Sequence, residues 1–215
     1  MDTALKRTCM RDRIRDVLVA RILDGTYPAG TQLKELSLAR EFNVSQAPIR
    51  EALRELEGTG LVTSERYRGT HVRGADSVEM RESYELRLMM EVRSIERGLP
   101  LSPAALEKLR SCIARMAEAV ANGDSEHYND GALDFHRSLV EMGGNGTFLK
   151  LWDSLHWDVR GRIALRRRAA IGGGLAPMVA LHRRLLESLR AGNAAQSIED
   201  VKAILQSVTD AFRKD

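Results

Sequence analysis

The apolar positions between Leu36 and Leu56 carry the clearest period in the chain. Ile49, Ala52, Leu53 and Leu56 fall at i, i+3, i+4 and i+7, which gathers them on one face of a helix. Ser45 stands where it can cap that helix, and Pro48 falls in its first turn, where a missing N–H is harmless. Gln46, Arg50 and Arg54 recur every fourth residue opposite the apolar stripe and share an outward ridge. Just upstream, Leu36, Ala39 and Phe42 predict a short helix, with Asn43-Val44 as the turn between the two. Two short helices joined by a tight turn, the second with a polar and basic outer face, predict a helix-turn-helix.

The flanking pattern completes a small domain over residues 1–73. Ile14, Val17, Leu18 and Ile22 place one face of a helix from Arg11 to Leu23 behind the pair, and residues 25–30 read as loop. Gly58 and Gly60 end the second helix of the pair. Leu61 to Ser64 then predicts a strand, Arg66-Tyr67-Arg68-Gly69 a basic turn, and Thr70-His71-Val72 the partner strand.

Beyond a predicted hinge at Gly74-Ala75, the period is helical to the end, and residues 74–215 form a second domain. Asp76 to Glu79 has capping-box spacing. Six helices are expected: Ser77 to Leu99 with Leu88, Val92 and Ile95 inward; Ser102 to Asn122; Ser125 to Met142 with Tyr128, Ala132, Phe135 and Leu139 inward; Thr147 to the glycine run at 172–174; Pro177 to Gly192; and Ser197 onward with Val201, Leu205, Val208 and Phe212. The fold class is therefore mostly α: a winged helix-turn-helix with a small β-hairpin, followed by an all-helical antiparallel bundle.

Composition narrows the function. No apolar run approaches the ~20 residues of a membrane span, and the charged N-terminus has no signal core. Two cysteines, Cys9 and Cys112, are too few for a disulfide framework, so a reduced cytoplasm is expected, with Cys112 as core filler. Residues 1–73 hold 13 Lys/Arg against 10 Asp/Glu, and the remaining 20 of each balance. The excess positive charge therefore lies with the helix-turn-helix, which suits a phosphate backbone as partner. Arg166-Arg167-Arg168 reads as a solvated helix end. The glycine run at 172 follows a helix and lacks Gly-Lys-Ser/Thr, so it is no phosphate loop.

From Arg11 to Arg73 the chain resembles the winged helix-turn-helix of the GntR family of bacterial transcription regulators. The resemblance rests on Ile22-Leu23-Asp24-Gly25, Pro28-Ala29-Gly30, Leu38-Ala39, Val44-Ser45, Pro48 to Leu53, Leu56, Gly60-Leu61-Val62 and Arg68-Gly69. It implies a DNA interface of Ser45, Gln46, Ala47, Arg50, Arg54, Arg66, Arg68, Gly69 and His71. Arg50 can fork onto guanine O6/N7 or clamp a phosphate, Gln46 can read adenine, and the wing residues can reach minor groove or phosphates. Gly69 allows a positive φ at the wing tip. Gln46 and Ala47 stand where the family frequently has Arg and Thr, and Leu36 where it often has Arg, so the operator differs from those of better-known relatives.

The second half resembles the FCD effector domain of the FadR subfamily, on Arg87 and Glu91, Phe135-His136 followed by Gly144-Asn145, and His182 before Leu185-Leu186 and Gly192. Six helices point to the VanR-type branch. The resemblance implies a homodimer, most simply a repressor on a palindromic operator, with a small organic acid as effector. Arg87 can pair with a carboxylate, His136 and His182 can donate hydrogen bonds, and Arg162 is a further candidate. Family members commonly hold a divalent metal on an aspartate, the Phe-His histidine and two further histidines. Here Ala132 and Ile204 take two of those places, while Asp134 and Asp130 point off the His136 face, so no cofactor is expected and weak or absent metal binding. Three readings stay open: an effector-controlled regulator, a DNA-bound regulator with a degenerate pocket, and an enzyme using His136 and His182, for which no nucleophile or cofactor motif is present.

Overall fold

The computed structural model describes residues 9–73 and 77–212. They form two compact units that divide between residues 76 and 77. Gly74, Ala75 and Asp76, predicted as hinge and cap, lie outside the described residues.

The first unit runs α1 (Met10–Leu23), β1 (Gln32–Leu33), α2 (Glu35–Glu41), α3 (Gln46–Gly58), β2 (Val62–Glu65) and β3 (Gly69–Val72). Its core sets Ile14, Leu18, Val19 and Ile22 of α1 against Ile49, Ala52, Leu53 and Leu56 of α3, with Leu38 and Ala39 of α2. Val17, expected inward, is exposed, and Val19 is buried in its stead. Both flank the 14-18-22 stripe by about 100° of helix rotation, so the side on which the partner packs decides between them. Likewise Leu36 is exposed and Leu38 replaces it, while Phe42 falls just past the end of α2.

The wing is a three-stranded antiparallel sheet in the order β1-β3-β2. β2 and β3 pair from Val62↔Val72 to Glu65↔Gly69, and the hydroxyls of Ser64 and Thr70 meet at 3.1 Å. β1 lies just past the predicted loop, where the sequence pattern assigned no element, and joins β3 through Gln32↔His71 and Leu33↔Thr70. Two residues are too short to show a period of two, and the strand exists because β3 offers it an edge.

The described residues of the second unit are helical throughout: α4 (Ser77–Gly98), α5 (Pro103–Ala121), α6 (Ser125–Met142), α7 (Gly146–Ser154), α8 (Trp157–Ala170), α9 (Ala176–Arg190), α10 (Ala194–Thr209) and a 3₁₀ turn, Asp210–Phe212. Ser102, Asp124, Asn145 and Asn193 each accept a backbone N–H at a helix start. The expected fourth helix is two. His156 adopts a left-handed conformation, φ 49°, that separates α7 from α8. The apolar period through Trp152, Val159 and Ile163 continues across this break, so periodicity alone could not see it. With seven α-helices among the described residues of this unit, the expected count of six does not hold.

Two further corrections concern charge. The buried stripe of α4 is Met80, Tyr84, Arg87, Glu91, Ser94 and Ile95, while Leu88 and Val92 are half-buried. Arg167 and Arg168 are not a solvated helix end. Arg167 donates to the Ala211 carbonyl at 2.9 Å and covers the Phe212 ring, and Arg168 donates to the Ser207 carbonyl at 3.0 Å, so the first fastens the C-terminal turn to α8 and the second the end of α10.

Candidate DNA interface and buried polar site

The α3 stripe turns its opposite face to solvent. Ile49, Ala52, Leu53 and Leu56 are buried, and Ser45, Gln46, Ala47, Arg50 and Arg54 are exposed. Ser45 occupies the N-cap position, but its side chain makes no capping hydrogen bond, contrary to expectation. That hydroxyl is therefore available to another acceptor or donor. The Arg50 guanidinium is held side-on by Glu35 at the start of α2: Nε donates to Oε1 at 3.1 Å and Nη2 to Oε2 at 2.8 Å. The hydrogen bond from Arg50 and the nearby charges of Arg50 and Arg54 outweigh a smaller burial effect and hold the Glu35 carboxyl below the usual range. Neither Glu51 nor Glu55 takes this role, and Glu55 pairs instead with Arg11 and Arg15 of α1.

At the wing, Arg66, Tyr67, Arg68 and Gly69 are exposed and His71 is half-buried. Tyr67 sits at φ 70° and Gly69 at φ 83°. The side-chain amide of Gln32, in β1, donates to the Arg68 carbonyl at 2.7 Å and braces the turn. Arg66 lies over the Tyr67 ring and Arg68 pairs with Glu65. The unit therefore presents cations from α3 and from the wing, each on a backbone fixed by packing or by β1.

In the second unit, four ionisable groups from three helices converge in the bundle interior. Arg87 and Glu91 of α4, His136 of α6 and His182 of α9 are each at most 4% exposed. Arg87 Nε donates to Glu91 Oε1 at 2.8 Å, and Glu91 Oε2 accepts from His136 Nδ1 at 2.7 Å. His136 Nε2 lies 3.1 Å from His182 Nε2, and His182 Nδ1 donates to the Met178 carbonyl at 2.7 Å. A carbonyl only accepts, so His182 Nδ1 carries the proton of that contact. Burial pushes His136 below the usual histidine value against the pull of Glu91. Burial, and then the neighbouring His136, drives His182 down to about 3. For Glu91, burial opposes the charge, but His136 and Arg87 prevail and keep it ionised.

Arg87 is enclosed by aromatic rings, with its guanidinium carbon 4.9 Å from the Trp152 ring centre, 5.1 Å from Trp157 and 5.4 Å from Tyr84. Its Nε donates to Glu91 and its guanidinium also hydrogen-bonds the Tyr84 hydroxyl, while the indole N–H of Trp157 beside it is buried with no acceptor. Arg87, His136 and His182 line a cavity of about 40 Å³ together with Tyr84, Asn129 and Ala132. A buried guanidinium on the wall of a small space offers a counter-charge to an acceptor-rich group.

A divalent metal does not fit this donor set. Ala132 and Ile204 line the same cavity and bring no donor, and the two imidazoles turn their Nε2 atoms on each other. Asp134 is exposed and paired with Arg115 at 2.7 Å, and Asp200 gives Oδ1 to Arg184 and Gln196 while its Oδ2 is buried without a partner. Among the described residues no three His, Cys, Asp or Glu side chains are placed to share an ion.

Of the predicted effector residues, Arg87, His136 and His182 come together, while Arg162 reaches Glu126 at 3.4 Å and is not part of the cavity wall. All four histidine ring nitrogens are already engaged. Sequence reasoning missed Glu35 and Tyr84. An acidic residue opening a helix, and a tyrosine three residues before an arginine on one helix face, are the signals that were there to use.

Two family models match the chain: "Bacterial regulatory proteins, gntR family" over residues 10–72 and "FCD domain" over residues 82–207. A probable D-xylose utilization operon repressor from Paenarthrobacter nicotinovorans is 29% identical over 189 residues, 88% of this chain and 82% of that one. A gluconate operon repressor from Bacillus licheniformis is 31% identical over 171 residues, 78% of this chain and 69% of that one. The crystal structure of a GntR-type regulator from Rhodococcus sp. RHA1 has the same fold, with a TM-score of 0.73 at 22% identity over 94% of this chain and 96% of that one. No described helix is long and apolar enough to cross a membrane. The chain belongs to the GntR family of bacterial regulatory proteins, in the group whose helix-turn-helix precedes an FCD domain, and it is a DNA-binding transcription regulator, not an enzyme.

Proposed function

We propose that the protein is a homodimeric repressor, working in the cytoplasm, whose affinity for a palindromic operator is set by a small carboxylate bound beside Arg87. The observation that carries the effector assignment is the buried guanidinium of Arg87, set among three aromatic rings and lining a cavity. Two relatives that regulate the gluconate and D-xylose operons support a repressor of sugar or sugar-acid use. Ser45, Gln46, Ala47, Arg50 and Arg54 would enter the major groove, with Arg66, Arg68, Gly69 and His71 along the adjacent backbone or minor groove. The domain boundary falls near residue 73, and occupancy of the pocket and of the operator would be reciprocally coupled.

The cavity of about 40 Å³ holds little more than a few waters. A sugar acid therefore has to displace the His136–His182 contact or spread the helices that wall the cavity. This favours a second reading, a regulator whose pocket has closed. Selecting bound duplexes from a random pool defines the operator, and Arg50→Ala should then weaken it roughly ten- to a hundredfold. Gluconate titrated onto the complex should release wild-type protein and leave His182→Ala bound. Operator binding that responds to no acid in a panel would establish the closed pocket.

A further inference from the structure

We infer that Glu35 is a positioning residue for base reading: it holds Arg50 so that the outer fork of the guanidinium faces guanine. This rests on α3 being the groove-facing helix. The carboxylate engages Arg50 from the side, through Nε and Nη2. A guanidinium has five N–H bonds, and side-on pairing uses the Nε–H and the inner Nη2–H. The parallel outer pair on Nη1 and Nη2 is left, and that pair matches guanine O6 and N7.

Stability does not account for the contact. Arg50 is 52% exposed in its side chain and Glu35 33%, and exposed ion pairs contribute next to nothing to folding. An acidic group on a DNA-facing surface also weakens attraction to phosphate. What it supplies is order: an arginine chain with four rotatable bonds is fixed before the duplex arrives, so less freedom is lost on binding. A carboxylate at this place also repels phosphate and turns Arg50 toward bases. Glu35 is suited to the task because it opens α2, where the helix dipole favours a negative charge, and its carboxyl is held ionised by Arg50 itself.

The test compares full-length wild type, Glu35→Ala, Glu35→Gln, Arg50→Ala and Glu35→Ala/Arg50→Ala on the selected operator and on random duplex, at several salt concentrations. Glu35→Ala should lower operator affinity about tenfold while tightening random-duplex binding, so that the ratio of the two collapses. Replacing one guanine in each half-site by 7-deazaguanine should cost wild type more than Glu35→Ala, and Glu35→Gln should follow Ala. In the Arg50→Ala background the Glu35 change should no longer affect the ratio. Equal tightening of both duplexes by Glu35→Ala would show simple charge repulsion and overturn the assignment. So would an undiminished effect in the Arg50→Ala background. Full operator affinity in Arg50→Ala alone would instead overturn the placement of α3, which separates the two failures. Glu35→Asp, which keeps the charge at the helix start, should fall between wild type and Ala in the ratio. An unchanged thermal midpoint across the set excludes a folding defect.

Discussion

His136 and His182 meet Nε2 to Nε2 at 3.1 Å, and this contact joins α6 to α9 in the bundle interior. Each nitrogen that a metal would need is spent on the other ring, and the flanking positions are Ala132 and Ile204. We expect that a chelator alters neither the thermal midpoint nor duplex affinity, and that stoichiometric Zn²⁺ moves the midpoint by less than about 1 °C. A ligand that binds only the folded state at a hundred times its Kd adds about 2.7 kcal/mol, which a melt would register clearly. A rise of several degrees would show that the rings part to ligate.

Acid should unfold the second unit through the same cluster. The unfolded chain protonates His182 near its ordinary value of 6.5, whereas burial holds the folded ring neutral down to about 3. Between those values the unfolded state binds more protons, so stability is full above pH 6.5 and falls as pH drops below it. At roughly 1.4 kcal/mol per unit the loss reaches a few kcal/mol by about pH 4.5. Glu91, held ionised, works in the same direction at the acid end of this range. Urea midpoints at pH 7.5, 6 and 5 should decline in that order. Midpoints that stay level would mean that the cluster accepts charge without penalty.

How much of this was legible in the chain depended on whether one face of an element had one kind of partner. The stripe of α3 was plain because Ile49, Ala52, Leu53 and Leu56 all meet apolar side chains of one core. In α4 the rule inverted: Arg87 and Glu91 are buried and Leu88 half-buried, since the two pair with each other and Glu91 also meets His136, 45 residues away on another helix. The break at His156 and the strand at Gln32-Leu33 share another cause. Both are imposed by neighbours rather than by local pattern. Glu35 escaped notice because its partner lies 15 residues along, across the turn between two helices.

Gly161 in α8 should resist alanine, although alanine ordinarily improves a helix interior by about 1 kcal/mol. A Cβ there would stand 2.1 Å from Asn129 Oδ1 and 3.2 Å from Nδ2. Asn129 is buried, and its amide donates to the Asp158 carbonyl at 3.2 Å, so it cannot simply swing away. Overpacking of about 1–3 kcal/mol exceeds the propensity gain. Gly161→Ala should therefore melt lower by several degrees, and adding Asn129→Ala should recover part of the loss, since the two changes share one space. Both residues also line the cavity, so the single variant should bind carboxylates differently from wild type. A variant that melts at or above wild type would show that the α6–α8 contact yields.

Two wing residues of similar backbone conformation should respond with opposite signs. Tyr67, at φ 70°, is 91% exposed, and its ring meets only the guanidinium of Arg66. A left-handed non-glycine residue costs roughly 1 kcal/mol, and glycine removes that cost. Tyr67→Gly should thus hold or raise stability by up to about 1 kcal/mol. Gly69, at φ 83°, has the Gln32 amide 3.2 Å from where a Cβ would lie, and that amide already donates to the Arg68 carbonyl. Gly69→Ala combines the left-handed cost with displacement of the brace, and should lose about 1–2 kcal/mol. Chemical denaturation of the two variants decides the matter. If Tyr67→Gly is destabilised as much as Gly69→Ala, the tyrosine ring is bearing on the turn, and the wing is held together at its tip as well as through β1.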